Sequence, residues 1–80
     1  MTHINKLNIG PAIHHYREKV RMSQKQLGAE AGIIVGRRIV ALEKGMYRWK
    51  ADELFNICKA LGITCTEMVY FAEFGQEIPK

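Results

Sequence analysis

The chain has 80 residues, 48% hydrophobic and 25% charged, with a formal net charge of +4 at neutral pH. That length lies near the lower limit at which a chain without metal or disulfides buries enough apolar area to offset its conformational entropy. A second domain is therefore excluded, and residues 1–80 are read as one domain packed over about residues 8–72. The ordinary composition also excludes a disordered or low-complexity chain.

Cys58 and Cys65 are too few for a disulfide framework, and no Cys/His quartet has zinc-finger spacing. Both are read as reduced core thiols, and no metal site is expected. No apolar run approaches the roughly 20 residues that cross a bilayer. The first residues include His3 and Lys6 without the apolar core of a signal peptide, so the expectation is a cytoplasmic protein with no membrane contact. Charge is unevenly divided: residues 1–50 hold ten Lys/Arg against three acidic residues, and residues 51–80 hold two against five. One reading is a basic half that faces phosphates with the acidic half turned away. The plainer one is a basic small domain kept soluble by its charge.

Residues 1–7 have no sustained period and are expected to form a loose arm, whose Lys6 could touch a phosphate. Helix one should begin within residues 8–11, where Asn8 or Gly10 can cap and Pro11 fits a first turn, and run to about Val20. Ile9, Ile13, Tyr16 and Val20 recur at helical spacing and mark its buried stripe. His14 and His15 are adjacent, diverge on a helix and are read as solvated. Ser23 can cap helix two, with Gln26 completing a capping box. Leu27 and Ala31 share its inner face, and Gly32 can end it near residue 31. After a short apolar turn, helix three should span about residues 36–44, with Ile39 and Leu42 inward and Arg37, Arg38, Ala41 and Lys44 mostly on other faces until Gly45. Helix four, about 51–61, carries Leu54, Ile57, Cys58 and Leu61 on one face. Gly62 ends it, and Thr64 with Glu67 offers a capping box for helix five, about 65–72. No alternating segment is long enough for a strand.

Two short helices joined by a tight turn form a helix-turn-helix unit. The ordered set Ile9-Gly10, Ile13, Arg17, Ser23-Gln24, Leu27, Ala31-Gly32, Ile39, Leu42-Glu43, Gly45, Leu54, Ile57 and Ala60-Leu61-Gly62 covers most of the chain. It resembles the helix-turn-helix regulators of the Cro and phage-repressor type. The resemblance implies an all-α, lambda-repressor-like bundle of about five short helices. Two positions depart from the family: the turn Gly32-Ile33-Ile34-Val35 is one residue longer than usual, and Trp49 stands where proline is often found.

Arg37 and Arg38 fall in the first turn of helix three, where the macrodipole disfavours a cation by about 0.3–1 kcal/mol. A duplex would favour them, because a recognition helix enters the major groove by its N-terminal end and arginine can grip guanine or a phosphate. The alternative is two solvated arginines. The resemblance makes Arg37 the better base reader, places Ala41 against a thymine methyl, and leaves Gly36 where a polar reader is common. Gln24, at the start of helix two, can hold a phosphate with its amide and the free backbone N–H groups. Lys25, Lys44, Arg48 and Lys50 extend that phosphate track. By the same resemblance Arg17 and Glu43 form an internal ion pair.

Met68, Val69, Tyr70, Phe71 and Phe74 are too apolar to be covered by one short helix's own core. They either close the monomer or form a two-fold dimer interface. There is no phosphate-cradling glycine motif, zinc signature or nucleophile beside a base, so no catalytic residue and no cofactor are expected. The reading is a homodimeric, sequence-specific regulator of transcription on double-stranded DNA, acting as a repressor or autoregulator. Phage-type repressor, restriction-modification controller and antitoxin are all compatible with it. The competing reading is a protein-interaction module or antitoxin whose C-terminal apolar surface binds a protein partner.

Overall fold

The computed structural model describes residues 7–33, 37–46 and 48–80, which contain five α-helices and no strand. Helix α1 (Gly10–Lys19) starts with Pro11 in its first turn and without a side-chain cap from Ile9; the Asn8 side-chain oxygen instead accepts from the Gly10 N–H at 3.0 Å. Helix α2 (Gln24–Glu30) opens on a complete capping box, in which Gln26 N–H donates to Ser23 Oγ at 3.0 Å and Ser23 N–H to Gln26 Oε1 at 2.8 Å. Each satisfied donor at such a terminus is one that would otherwise go unpaired. Gly32 follows with φ +70°, which an L side chain rarely adopts, and the Ile33 N–H closes the helix end by donating to the Gly28 carbonyl at 2.8 Å.

Helix α3 (Arg38–Glu43) is shorter at both ends than its hydrophobic spacing predicts. Its expected first residue, Gly36, and the turn residues Ile34 and Val35 lie outside the described residues. Helix α4 (Ala51–Leu61) takes the bounds its periodicity predicts. At its start Glu53 accepts from the Lys50 N–H at 2.9 Å; the reciprocal half of a box is chemically closed, since an ammonium has no acceptor. Helix α5 (Cys65–Phe74) is capped by Thr64, with Glu67 reciprocating, and runs two residues further than the spacing predicts, to a left-handed Gly75.

All five helices contribute to one cluster. Ile9, Ile13 and Tyr16 from the α1 region meet Leu27, Ile39, Leu42, Leu54, Ile57, Leu61 and Met68, each worth roughly 1.5–3 kcal/mol of apolar burial for a Leu, Ile or Met. Helix α1 packs on α3, α4 and α5, while α2 packs on α3 and α4. Gly10 permits the α1–α3 contact, because a Cβ there would overlap the Glu43 carbonyl at the end of α3. Cys58 is buried, and its thiol is pushed up to about 12 by that burial and by Cys65 beside it, so it stays a neutral core group.

Three sequence expectations are corrected here. Residue 7 belongs to the fold, because the buried Trp49 donates its indole N–H to the Leu7 carbonyl at 2.9 Å. Val20 is exposed and follows α1 as a turn instead of extending the buried stripe. Neither histidine is merely solvated: His15 stacks on Phe71 with ring centroids 4.2 Å apart and lies 2.7 Å from Glu77, while His14 faces Glu43.

Candidate nucleic-acid interface

The start of α3 separates the two adjacent arginines. Arg37 is exposed, and its side chain makes no hydrogen bond or ion pair among the described residues. Arg38 turns back onto the fold: Nε donates to Glu53 Oε2 at 2.8 Å, and Nη2 to Glu53 Oε1 and to the Arg48 carbonyl, both at 2.7 Å. The Arg38 guanidinium holds Glu53 below its ordinary carboxylate range against the burial that pushes it up, and the Lys50 N–H helps. Arg38 therefore ties α3 to α4 and is not presented for base contact. Ala41 is also corrected, since at 9% exposure it is buried and has little surface for a thymine methyl.

At the other end of α3, Glu43 gathers three helices. Its Oε2 accepts from Arg17 Nε at 2.6 Å, and its Oε1 accepts from Arg17 Nη2 at 3.2 Å and Gln24 Nε2 at 3.1 Å. His14 Nδ1 lies 3.2 Å from the same Oε1 and 3.1 Å from Arg17 Nη2, so its tautomer decides whether it donates to one or accepts from the other. The Arg17 and Glu43 side chains are only 10% and 7% exposed. Burial pushes the Glu43 carboxyl up, but the hydrogen bonds from Arg17, Gln24 and His14 outweigh it and hold the group below its ordinary value. Arg17 also donates to the Met22 carbonyl at 2.9 Å, fastening the α1–α2 connection.

Gln24, expected on a phosphate, thus already spends one amide N–H on Glu43 and keeps one. Lys25, Lys44, Arg48 and Lys50 are exposed. The bond from Arg38 to the Arg48 carbonyl ties the 48–50 segment to the first residue of α3, whereas Lys44 follows the helix's end. At about 1.5 Å per residue, the six residues of α3 span roughly 9 Å.

Helix α5 divides the expected dimer residues. Met68 is fully buried at 0% exposure and belongs to the monomer core, and Phe71 packs against that core under His15. Val69 and Tyr70 are half-buried, and Phe74 is open with its ring 4.6 Å from Tyr70. Two contacts had no signal in local spacing: Arg38–Glu53 joins different helices, and Glu77 reaches back past α5 to His15 and, at 2.9 Å, to Lys19. Apolar exposure is also not confined to α5, since Phe55 and Met46 are 63% and 64% exposed.

No family model, curated protein or solved structure matches the chain. Among the described residues, no cluster of three His, Cys, Asp or Glu could hold a metal ion, and no helix is long and apolar enough to cross a membrane.

Proposed function

We propose that the protein binds double-stranded DNA sequence-specifically as a homodimer and regulates transcription, with α2 and α3 as the helix-turn-helix unit and α3 entering the major groove. The observation that carries this reading is Arg37: an exposed guanidinium at the start of α3, without a partner among the described residues. A cation at the positive end of a helix is locally unfavourable, so an external anion or acceptor is what would offset it. Lys44, Arg48 and Lys50 supply phosphate contacts at either end of the helix, and Lys25 and Gln24 supply them at the start of α2. The excess of cations in residues 1–50 gives the sequence-independent attraction.

The adjacent arginines make the test. Arg37→Ala should weaken binding to the operator by about 1–3 kcal/mol, relax preference at one base pair per half-site and leave melting unchanged. Arg38→Ala should lower the melting temperature, because Glu53 loses a bidentate partner worth about 1.5–3 kcal/mol. If Arg37→Ala reduces specific and non-specific affinity equally, Arg37 is not a base reader.

A second reading has its own observation. Phe55, Met46 and Phe74 offer apolar surface that a protein partner could cover, as an antitoxin or interaction module would require. Absence of duplex binding even at low salt would favour it.

A further inference from the structure

Beyond α5 the chain turns at Gly75, whose φ is +73° and whose N–H donates to the Phe71 carbonyl at 2.8 Å. Glu77 then meets α1: Lys19 Nζ donates to both of its oxygens at 2.9 Å, and His15 Nε2 lies 2.7 Å from its Oε2. A carboxylate only accepts, so that imidazole nitrogen carries the proton. The same imidazole stacks on Phe71, so the ring that Glu77 fixes is also the one that α5 covers. All three charged side chains are partly exposed, which leaves the clasp open to screening by salt. A second feature opposes closure. The Tyr16 hydroxyl, the one buried side-chain oxygen or nitrogen without a partner among the described residues, belongs to this α1–α5 seam, with its ring against His15 and Phe71. Burial, and then the Glu77 and Glu67 carboxylates, push this phenol up. An unpartnered buried hydroxyl is a standing cost of the closed seam, and opening relieves it by admitting water.

We propose that Glu77 is an ionic latch: closed on His15 and Lys19 it holds the end of α5 against α1, and its release lets that end move away and uncovers Tyr16 and Phe71. The device requires neither functional reading given above. Two ionisations set it with opposite signs. An imidazole gains its charge as pH falls between about 8 and 5, which places a second cation beside Glu77 and tightens the latch. The Glu77 carboxyl is held below its ordinary value of 4.5 by Lys19 and then by His15, so its contribution is full above that value and is lost as pH falls through it and lower. Glu67, the carboxylate that faces the seam from α5, acts at Tyr16 and bonds to Thr64. The latch is therefore tightest between about pH 5 and 6.

The experiment follows two NMR signals of the full chain at low salt: backbone order of residues 76–78 from nitrogen relaxation, and the shift that the stacked Phe71 ring imposes on the His15 ring protons. In the wild type at about pH 5.5 the order parameters should be near 0.8, and they should drop below about 0.6 in Glu77→Gln, in Lys19→Gln and at about 1 M salt. Lowering the pH to about 3 should open the wild type as well, whereas about pH 8 should give intermediate order. The ring-current shift should fade in parallel. Exchanging the charges, Lys19→Glu together with Glu77→Lys, should restore the order that either charge-removing variant loses. Flexible residues 76–78 in the wild type, undiminished order in Glu77→Gln, or an exchange variant that stays loose would each overturn the latch. A His15 shift that persists while residues 76–78 loosen would show the C-terminal segment moving alone, and would overturn its hold on α5.

Discussion

Gly10 and Gly28 show how a single Cβ is judged by its surroundings. At Gly10 the added atom would meet the Glu43 carbonyl and lie 2.7 Å from the Leu42 carbonyl oxygen, so α1 would have to move off α3. Gly10→Ala should cost about 1–3 kcal/mol as an overpacking change. At Gly28, inside α2, the nearest atoms lie at 3.6 Å, an ordinary contact. Gly28→Ala should therefore raise stability by about 0.5–1 kcal/mol through helix propensity. Thermal melts of the two variants check both signs. The Arg17–Glu43 pair gives a pH dependence. Because the folded Glu43 carboxyl titrates below its ordinary value of 4.5, its stabilising effect is full above that value and is lost as pH falls through it and lower. Melting temperature should hold from pH 7 to about 5 and then decline. Arg17→Ala should remove about 3–5 kcal/mol, because Glu43 is left buried without its counter-charge. That is a fall of at least about 12 °C for a domain of this size, with a shallower acid decline.

At the scale of elements, what could be read in the chain were features that act within one helix. The Ser23–Gln26 and Thr64–Glu67 boxes and the inward spacing of Leu54, Ile57, Cys58 and Leu61 are local, and they place α2, α4 and α5 closely. Which face of a short helix is covered depends on its neighbours, and there the local pattern ran out. In α3, with six residues, Ala41 is buried and Arg38 is captured by Glu53 from another helix. In α5, apolarity alone did not separate Met68 and Phe71, which serve the core, from Tyr70 and Phe74. The proposed two-fold contact accordingly falls on Val69, Tyr70 and Phe74. Phe74→Glu, at an exposed site, should leave the fold intact and convert a dimer to a monomer by sedimentation at tens of micromolar protein. A monomeric wild type, or a variant that stays dimeric, would place the contact elsewhere or remove it.

For the whole molecule, the proposal joins a basic N-terminal half that presents α3 to an acidic C-terminal part that would hold two copies together. Two recognition helices reading one face of a duplex must lie about 34 Å apart, so the operator should carry half-sites one helical turn, or a multiple of it, from centre to centre. Specificity would come from few groups, since Arg38 and Ala41 are engaged in the fold, and the phosphate contacts would supply much of the affinity. The most direct measurement is a gel shift over a range of salt concentrations, using duplex from upstream of the protein's own gene and an unrelated duplex of equal length. The account predicts a discrete complex on the upstream duplex at least about a thousandfold tighter than on the unrelated one, with both affinities falling steeply as salt rises. No complex with either duplex at low salt would contradict it.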